Sequence, residues 1–249
     1  MGVFYPEAFP NPAGAKPLNP RRQPRCLTFN RASRTSRRCE TRGLCDELRR
    51  MTERIRRSLH SAVGELRGRG VDADILGCAL FTDDDAVTFF YSLCTAEGLA
   101  ERDEDHLFEP LEWQSQPEEE FDADVNALIV ELSQSEEVSY EEHVEQSFQA
   151  MTKALETVRD EGLFAPDAFL SVAGTDPSDW VEELGEKAVR SLNSASKLRE
   201  YFLCCIQWKQ SWLTHLRSKE EPLSFGDQDT LERLDREIAE LSEEISKLT

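Results

Sequence analysis

No apolar run in the 249-residue chain approaches the roughly 20 residues a membrane-spanning helix needs, so no such helix and no membrane partner is expected. CxxC spacing is also missing. The seven cysteines, at 26, 39, 45, 78, 94, 204 and 205, build neither a disulfide framework nor a zinc knuckle. That usage reads as a reducing, cytoplasmic protein. There is no GxGxxG, P-loop or GxSxG, which closes those nucleotide and hydrolase routes. The four histidines, His60, His106, His143 and His215, show no HxH or HxxxH spacing, and His60 and His143 fall on predicted helix surfaces as solvated side chains. No motif calls for a cofactor or a metal. Basic residues are scarce, with 29 Lys and Arg against 49 Asp and Glu, a formal charge of -20. Phosphates need a basic face, so nucleic acid is not an expected partner.

What basic charge there is crowds the start. Residues 1–43 hold Lys16 and eight arginines against Glu7 and Glu40, leaving the rest of the chain near -27. The same stretch carries six prolines (6, 10, 12, 17, 20 and 24), which oppose helix and ladder alike. It reads as a disordered basic arm. An organellar leader, a solvated arm folded on the acidic body and an over-extended start all fit that composition. A secretory signal does not, because no apolar stretch follows the charges.

Apolar residues at 44, 48, 51, 55, 59, 62, 63 and 66 line one face of a helix that Gly68 and Gly70 stop. Ile75–Phe81 and Ala86–Leu93, around Asp83-Asp84-Asp85, predict an antiparallel hairpin whose first strand is covered on both faces. Asp122 caps a helix bearing Val125, Leu128, Ile129 and Leu132, and Ser139 with Glu142 forms a capping box for the next helix, ended at Gly162. Phe169–Gly174 is a third strand, and a long helix with a wide apolar surface runs from Ser194 to Arg217. These periods predict an α+β fold, a small antiparallel sheet covered by several α-helices, over residues 44–220. Residues 227–249 form a separate amphipathic helix, with Asp229 and Glu232 as its cap pair. Its Leu231, Leu234, Ile238, Leu241, Ile245 and Leu248 make a short heptad seam. A parallel homodimer would put Asp235, Glu237 and Glu244 against their own copies, so the seam folding back onto its own domain stands beside the dimer.

Chemistry-bearing residues are sparse. Asp83, Asp84, Asp85, with Asp103, Glu104, Asp105 and His106, offer oxygen and imidazole ligands, although Asp runs also suit turns. Glu109 and Glu112 beside Trp113 are acid or base candidates if the indole buries one of them; the bland alternative is an indole filling a sheet–helix seam. Trp208 and Trp212 share a helix face as core residues first and partner contacts second. Ile238 and Leu241 of the seam are further partner-binding candidates.

Ala79-Leu-Phe-Thr-Asp-Asp-Asp85, Cys94-Thr-Ala-Glu-Gly-Leu99 and Glu112-Trp113 appear in order with Ala154-Leu155, Glu161-Gly162-Leu163-Phe164, Asp176-Pro177 and Ser191-Leu192-Asn193. In these motifs the chain resembles the family known as domain of unknown function 4303, over about residues 45–201. The resemblance implies a fold and brings no reaction with it. The functional expectation is an acidic protein-interaction module with a basic protein partner. The alternative is a hydrolase-like or metal-dependent enzyme using Glu109, Glu112 and the Asp83–Asp85 loop.

Overall fold

Met51, Ile55, Leu59 and Val63 recur at helical spacing and are fully buried along one side of α1, Arg37–Gly68. This helix begins ahead of Leu44, so it takes in seven residues that composition assigned to the arm. The structure is a computed structural model and describes residues 37–68, 74–83, 86–100, 104–110, 113, 125–127, 130, 139–175, 178–218 and 225–248. The remainder of the arm, and most of the helix expected after Asp122, lie outside the described residues. From Cys39 in the first turn of α1 onward, the chain forms one unit, Cys39–Thr249.

The sheet has three strands in the order β2-β1-β3. β1, Ile75–Thr82, and β2, Phe89–Thr95, pair antiparallel from Thr82 opposite Phe89 to Gly77 opposite Cys94. β2 starts later than the hydrophobic run suggested, because Val87 and Thr88 donate their amides to Asp83 instead of a ladder. β3, Phe169–Gly174, runs parallel to β1, with Gly77 opposite Phe169 and Thr82 opposite Gly174. The sheet is therefore mixed, where an all-antiparallel one was expected. The cause is the connection: β2 ends beside the start of β1, and the segment from β2 to β3, which includes a long helix, re-enters the sheet at that same end on the other side of β1.

After β2 come the short α2, Ala96–Ala100, and a 3₁₀ turn, Glu104–Phe108. The crossover helix is α3, Tyr140–Asp160. Its capping box forms as read, with Glu142 N–H donating to Ser139 Oγ and Ser139 N–H to the Glu142 carboxylate. Gly162 follows at φ +74°, a left-handed position that suits glycine. α4, Asp179–Leu192, was not among the expected helices; α5, Ala195–Arg217, opens at Ser194, whose hydroxyl accepts from Lys197 N–H. α6, Phe225–Lys247, starts a turn before the expected Asp229 cap.

Both sheet faces are covered. Cys78, Leu80, Phe89, Leu93, Leu170 and Val172 pack toward α1 and α3 in one core cluster. Ala79, Phe81, Cys94 and Phe169 face the other way, onto Leu107, Trp113, Val189 of α4, and Leu198 and Phe202 of α5. The seam of α6 is used inside the chain. Leu231, Leu234 and Ile238 pack on Leu213 and Leu216 of α5, while Leu241, Ile245 and Leu248 join the second sheet face. The three acids that would repel in a parallel dimer each find a base here: Asp235 with Arg217 at 2.8 Å, Glu237 with Lys209 at 2.6 Å, and Glu244 with Arg190.

Candidate functional site

The second sheet face is built of rows read across the register. Cys94, Gly77 and Phe169 form one row, Ser92, Ala79 and Ser171 the next, and Phe90, Phe81 and Ala173 the third. Trp113 lies over the first. It is buried, and its Nε1–H donates to the His106 carbonyl at 2.9 Å, which also accepts the Glu109 amide at 3.2 Å. The indole therefore ties the segment after β2 down onto the sheet. Burial beneath it pushes the Cys94 thiol up to about 11, and the Cys78 thiol on the opposite face higher still. Neither is a nucleophile in that state.

The middle row is small and polar, and its two hydroxyls, Ser92 Oγ and Ser171 Oγ, have no hydrogen-bond partner among the described residues. Ser171, only 5 % exposed, lines a cleft of about 360 Å³. Aromatic rings dominate the cleft: Phe81 and Phe169 from the strands, Phe108 ahead of Glu109, and Tyr201 of α5. These rings brace one another, Phe108 meeting Phe169 edge-on at 5.0 Å and Tyr201 at 5.9 Å. Burial, and then the adjacent Cys205 thiol, push the Tyr201 phenol upward, so it stays neutral. α4 supplies the other side. Gly185 allows the helix to close on β3, since a Cβ there would stand 3.0 Å from the Val172 carbonyl. One turn of α4 then places the exposed Glu182 and Glu186 on the cleft. A larger groove of about 490 Å³ between α3 and α4 mixes Glu145 and Glu156 with Lys153 and Lys187.

The candidates named from sequence are dispersed. Asp83 is committed to its own loop, where its carboxylate accepts from Val87 N–H at 2.7 Å and Thr88 N–H at 3.2 Å. It follows the last residue of β1, whereas Trp113 covers Gly77 near the first, about 20 Å away at the rise of an extended strand. Glu109 is exposed and its Oε2 sits 3.2 Å from His106 Nδ1. Asp84, Asp85 and Glu112, with Asp103, lie outside the described residues. No group of three His, Cys, Asp or Glu able to hold a metal occurs among the described residues. Trp208 and Trp212 are exposed, 43 % and 37 %, with ring centroids 6.1 Å apart, which corrects the expectation of core. α5 turns its Leu198, Phe202, Ile206 and Leu213 side to the core instead. Ile238 and Leu241 are packed against this chain's own helices.

His143 is a second correction. It is buried, not solvated, and its Nε2 lies 3.0 Å from the carbonyl of Ala86, a residue held at φ +51°. The loop it grips also gives Phe89 N–H to Asn126 Oδ1 at 2.7 Å.

Residues 55–194, from the buried side of α1 to the Asn193–Ser194 junction, match the family DUF4303, a domain of unknown function. The chain belongs to that family. Neither the curated proteins nor the solved structures yield a match. The DUF4303 region contains the whole sheet, α3 and α4, and every cleft residue named above except Tyr201, which lies beyond it on α5. Among the described residues, no helix is long and apolar enough to cross a membrane. The cleft residues Ser171, Glu182 and Glu186 were not singled out from sequence. The available signal was a lone polar residue inside an apolar strand, followed by two acids four apart around a glycine.

Proposed function

We propose that this DUF4303 protein is a protein-interaction module that receives a basic segment of a partner protein. The observation that supports the reading is the cleft itself, with aromatic walls and two exposed glutamates of α4 beside it. Interfaces draw their strongest contacts from aromatic-lined pockets that desolvate an anchoring side chain. The net charge of -20 adds a long-range field that attracts a basic surface and repels an acidic one.

The test is fluorescence anisotropy of the full chain with two labelled peptides of equal length, one rich in Arg and Lys and one rich in Glu. The basic peptide is expected to bind, and to weaken as salt rises through the range where the Debye length falls below about 10 Å. Equal affinity for both peptides, or none for the basic one, overturns the reading.

A further inference from the structure

We infer that Arg190 sets how strongly the cleft holds a basic segment, and that α6 governs it by drawing the Arg190 guanidinium off Glu186; the inference rests on the interaction reading above. Glu186 and Arg190 stand four residues apart on α4, with the acid N-terminal to the base, the order in which a helix pairs such side chains best. Left to α4 alone, the two would close on one another. Instead Arg190 Nη2 stays 3.8 Å from Glu186 Oε2, near the outer limit of an ion pair. The guanidinium is held elsewhere, with its Cζ 4.9 Å from the centre of the Phe202 ring of α5 and its Nη1 paired with Glu244 of α6.

α6 delivers Glu244 to that point by its register. Glu237 binds Lys209 at 2.6 Å and Asp235 binds Arg217 at 2.8 Å, both on α5, and Glu244 follows Glu237 after two helical turns. Leu241 and Ile245, on either side of Glu244, pack on the same core cluster as Tyr201, a wall of the cleft. The acid that competes for Arg190 is therefore seated only while α6 is docked. Glu186 belongs to the cleft as well as to this pair. It is exposed there, and its charge reaches Tyr201, whose phenol is pushed upward by burial first, then by Cys205 and by Glu186. A guanidinium closed on Glu186 neutralises the acid that a basic segment would meet, whereas one held by Glu244 leaves more of that charge to the segment. The side chains of Arg190 and Glu244 are each 36 % exposed and that of Glu186 67 %, so water screens the effect to a few-fold change in affinity.

The experiment is fluorescence anisotropy of the full chain with the labelled peptide rich in Arg and Lys, repeated on four variants with a thermal melt of each. Arg190→Gln is expected to bind the peptide about threefold more tightly, because Glu186 loses its competitor. Glu244→Gln is expected to bind it about threefold more weakly, because Arg190 then turns to Glu186. The double variant should keep the gain of Arg190→Gln. Arg199→Gln removes the same charge from an exposed position two residues before Tyr201, on the opposite side of α5, and should bind as the native chain does. A purely structural Arg190–Glu244 pair gives a different pattern: either variant loosens α6 alike, and both move the affinity in one direction. Shifts of the same sign, no shift, or a gain that Arg199→Gln reproduces overturns the role of Arg190 and leaves the interaction module standing. Absence of binding by every protein in the set overturns both.

Discussion

The ring of Trp113 occupies the space where a side chain on Gly77 would begin: a Cβ built there falls 2.7 Å from Cη2 and 2.8 Å from Cζ2. Gly77 is needed for that close approach. The same Cβ would stand 3.2 Å from the Cβ of its ladder neighbour Cys94, so an added methyl would be wedged between the ring and the next strand.

Gly77→Ala should accordingly destabilise the protein by about 1–3 kcal/mol, the usual range for overpacking a filled core. Trp113→Ala should cost about 3–5 kcal/mol as a large-to-small core change. The double variant should cost less than the two losses added, because the alanine methyl then occupies space the indole has left. Urea unfolding of the four proteins measures this; strict additivity refutes the contact.

Removing the imidazole of His143 leaves the Ala86 carbonyl buried without its partner. His143→Leu, which keeps bulk, should cost about 1–3 kcal/mol. Amide exchange should rise at Phe89, whose N–H is held by Asn126 on the same loop. A wild-type midpoint with unchanged exchange would show that the loop holds itself.

With the α6 seam packed on α5 and the sheet, the chain should sediment as a monomer at all concentrations. Ile238→Asp should lower the thermal midpoint by several degrees, since a carboxylate then faces Leu213, Leu216 and Leu234. Mass that rises with concentration, together with an Ile238→Asp melt that depends on concentration, would instead assign the seam to a dimer.

Glu53 accepts from Arg56 at 2.8 and 2.9 Å and from Arg57 at 2.8 Å. The Arg56 bond first, then Arg57, holds its carboxyl at about 2, below the ordinary 4.5. A carboxyl depressed in the folded state stabilises above its unfolded pKa and loses that contribution as pH falls through the window from about 4.5 to 2. The stability gap between the native chain and Glu53→Gln should therefore narrow as pH is lowered from about 5 to 3. It should be small, and smaller in high salt, because Glu53 and Arg57 are open to solvent. A gap constant with pH would rule the ion pair out as its source.

Periodicity made α1, α3, α5, α6 and all three strands legible, because each buries a stripe whose spacing is its own signature. α4 was passed over although Val181, Leu184, Ala188 and Leu192 keep helical spacing and its acids lie on the other face; Gly185 in its middle lowers local helix preference, and that glycine is there for contact with β3. The direction of β3 was equally hidden: six apolar residues do not say which end of the sheet they enter. Trp208 and Trp212 misled for a related reason. Their spacing reports a shared face, and only the partner helix determines whether that face is inside. The cleft was illegible for a longer-range reason, because Phe81, Phe108, Ser171, Glu182 and Tyr201 come from five separate elements or turns.

The parallel pairing of β1 with β3 has a consequence for how the chain comes off the ribosome. β1 is the central strand, yet one of its two neighbours is made only after the whole of α3 has emerged. During that interval the β1–β2 hairpin stands with the hydrogen-bonding edge of its most apolar strand unpaired, and such edges template wrong pairings between chains. Stretches made in between, among them the acidic first turn of α3 with Glu141 and Glu142, put like charge beside any two nascent copies during that exposure. Such charge opposes pairing between nascent copies before β3 is made.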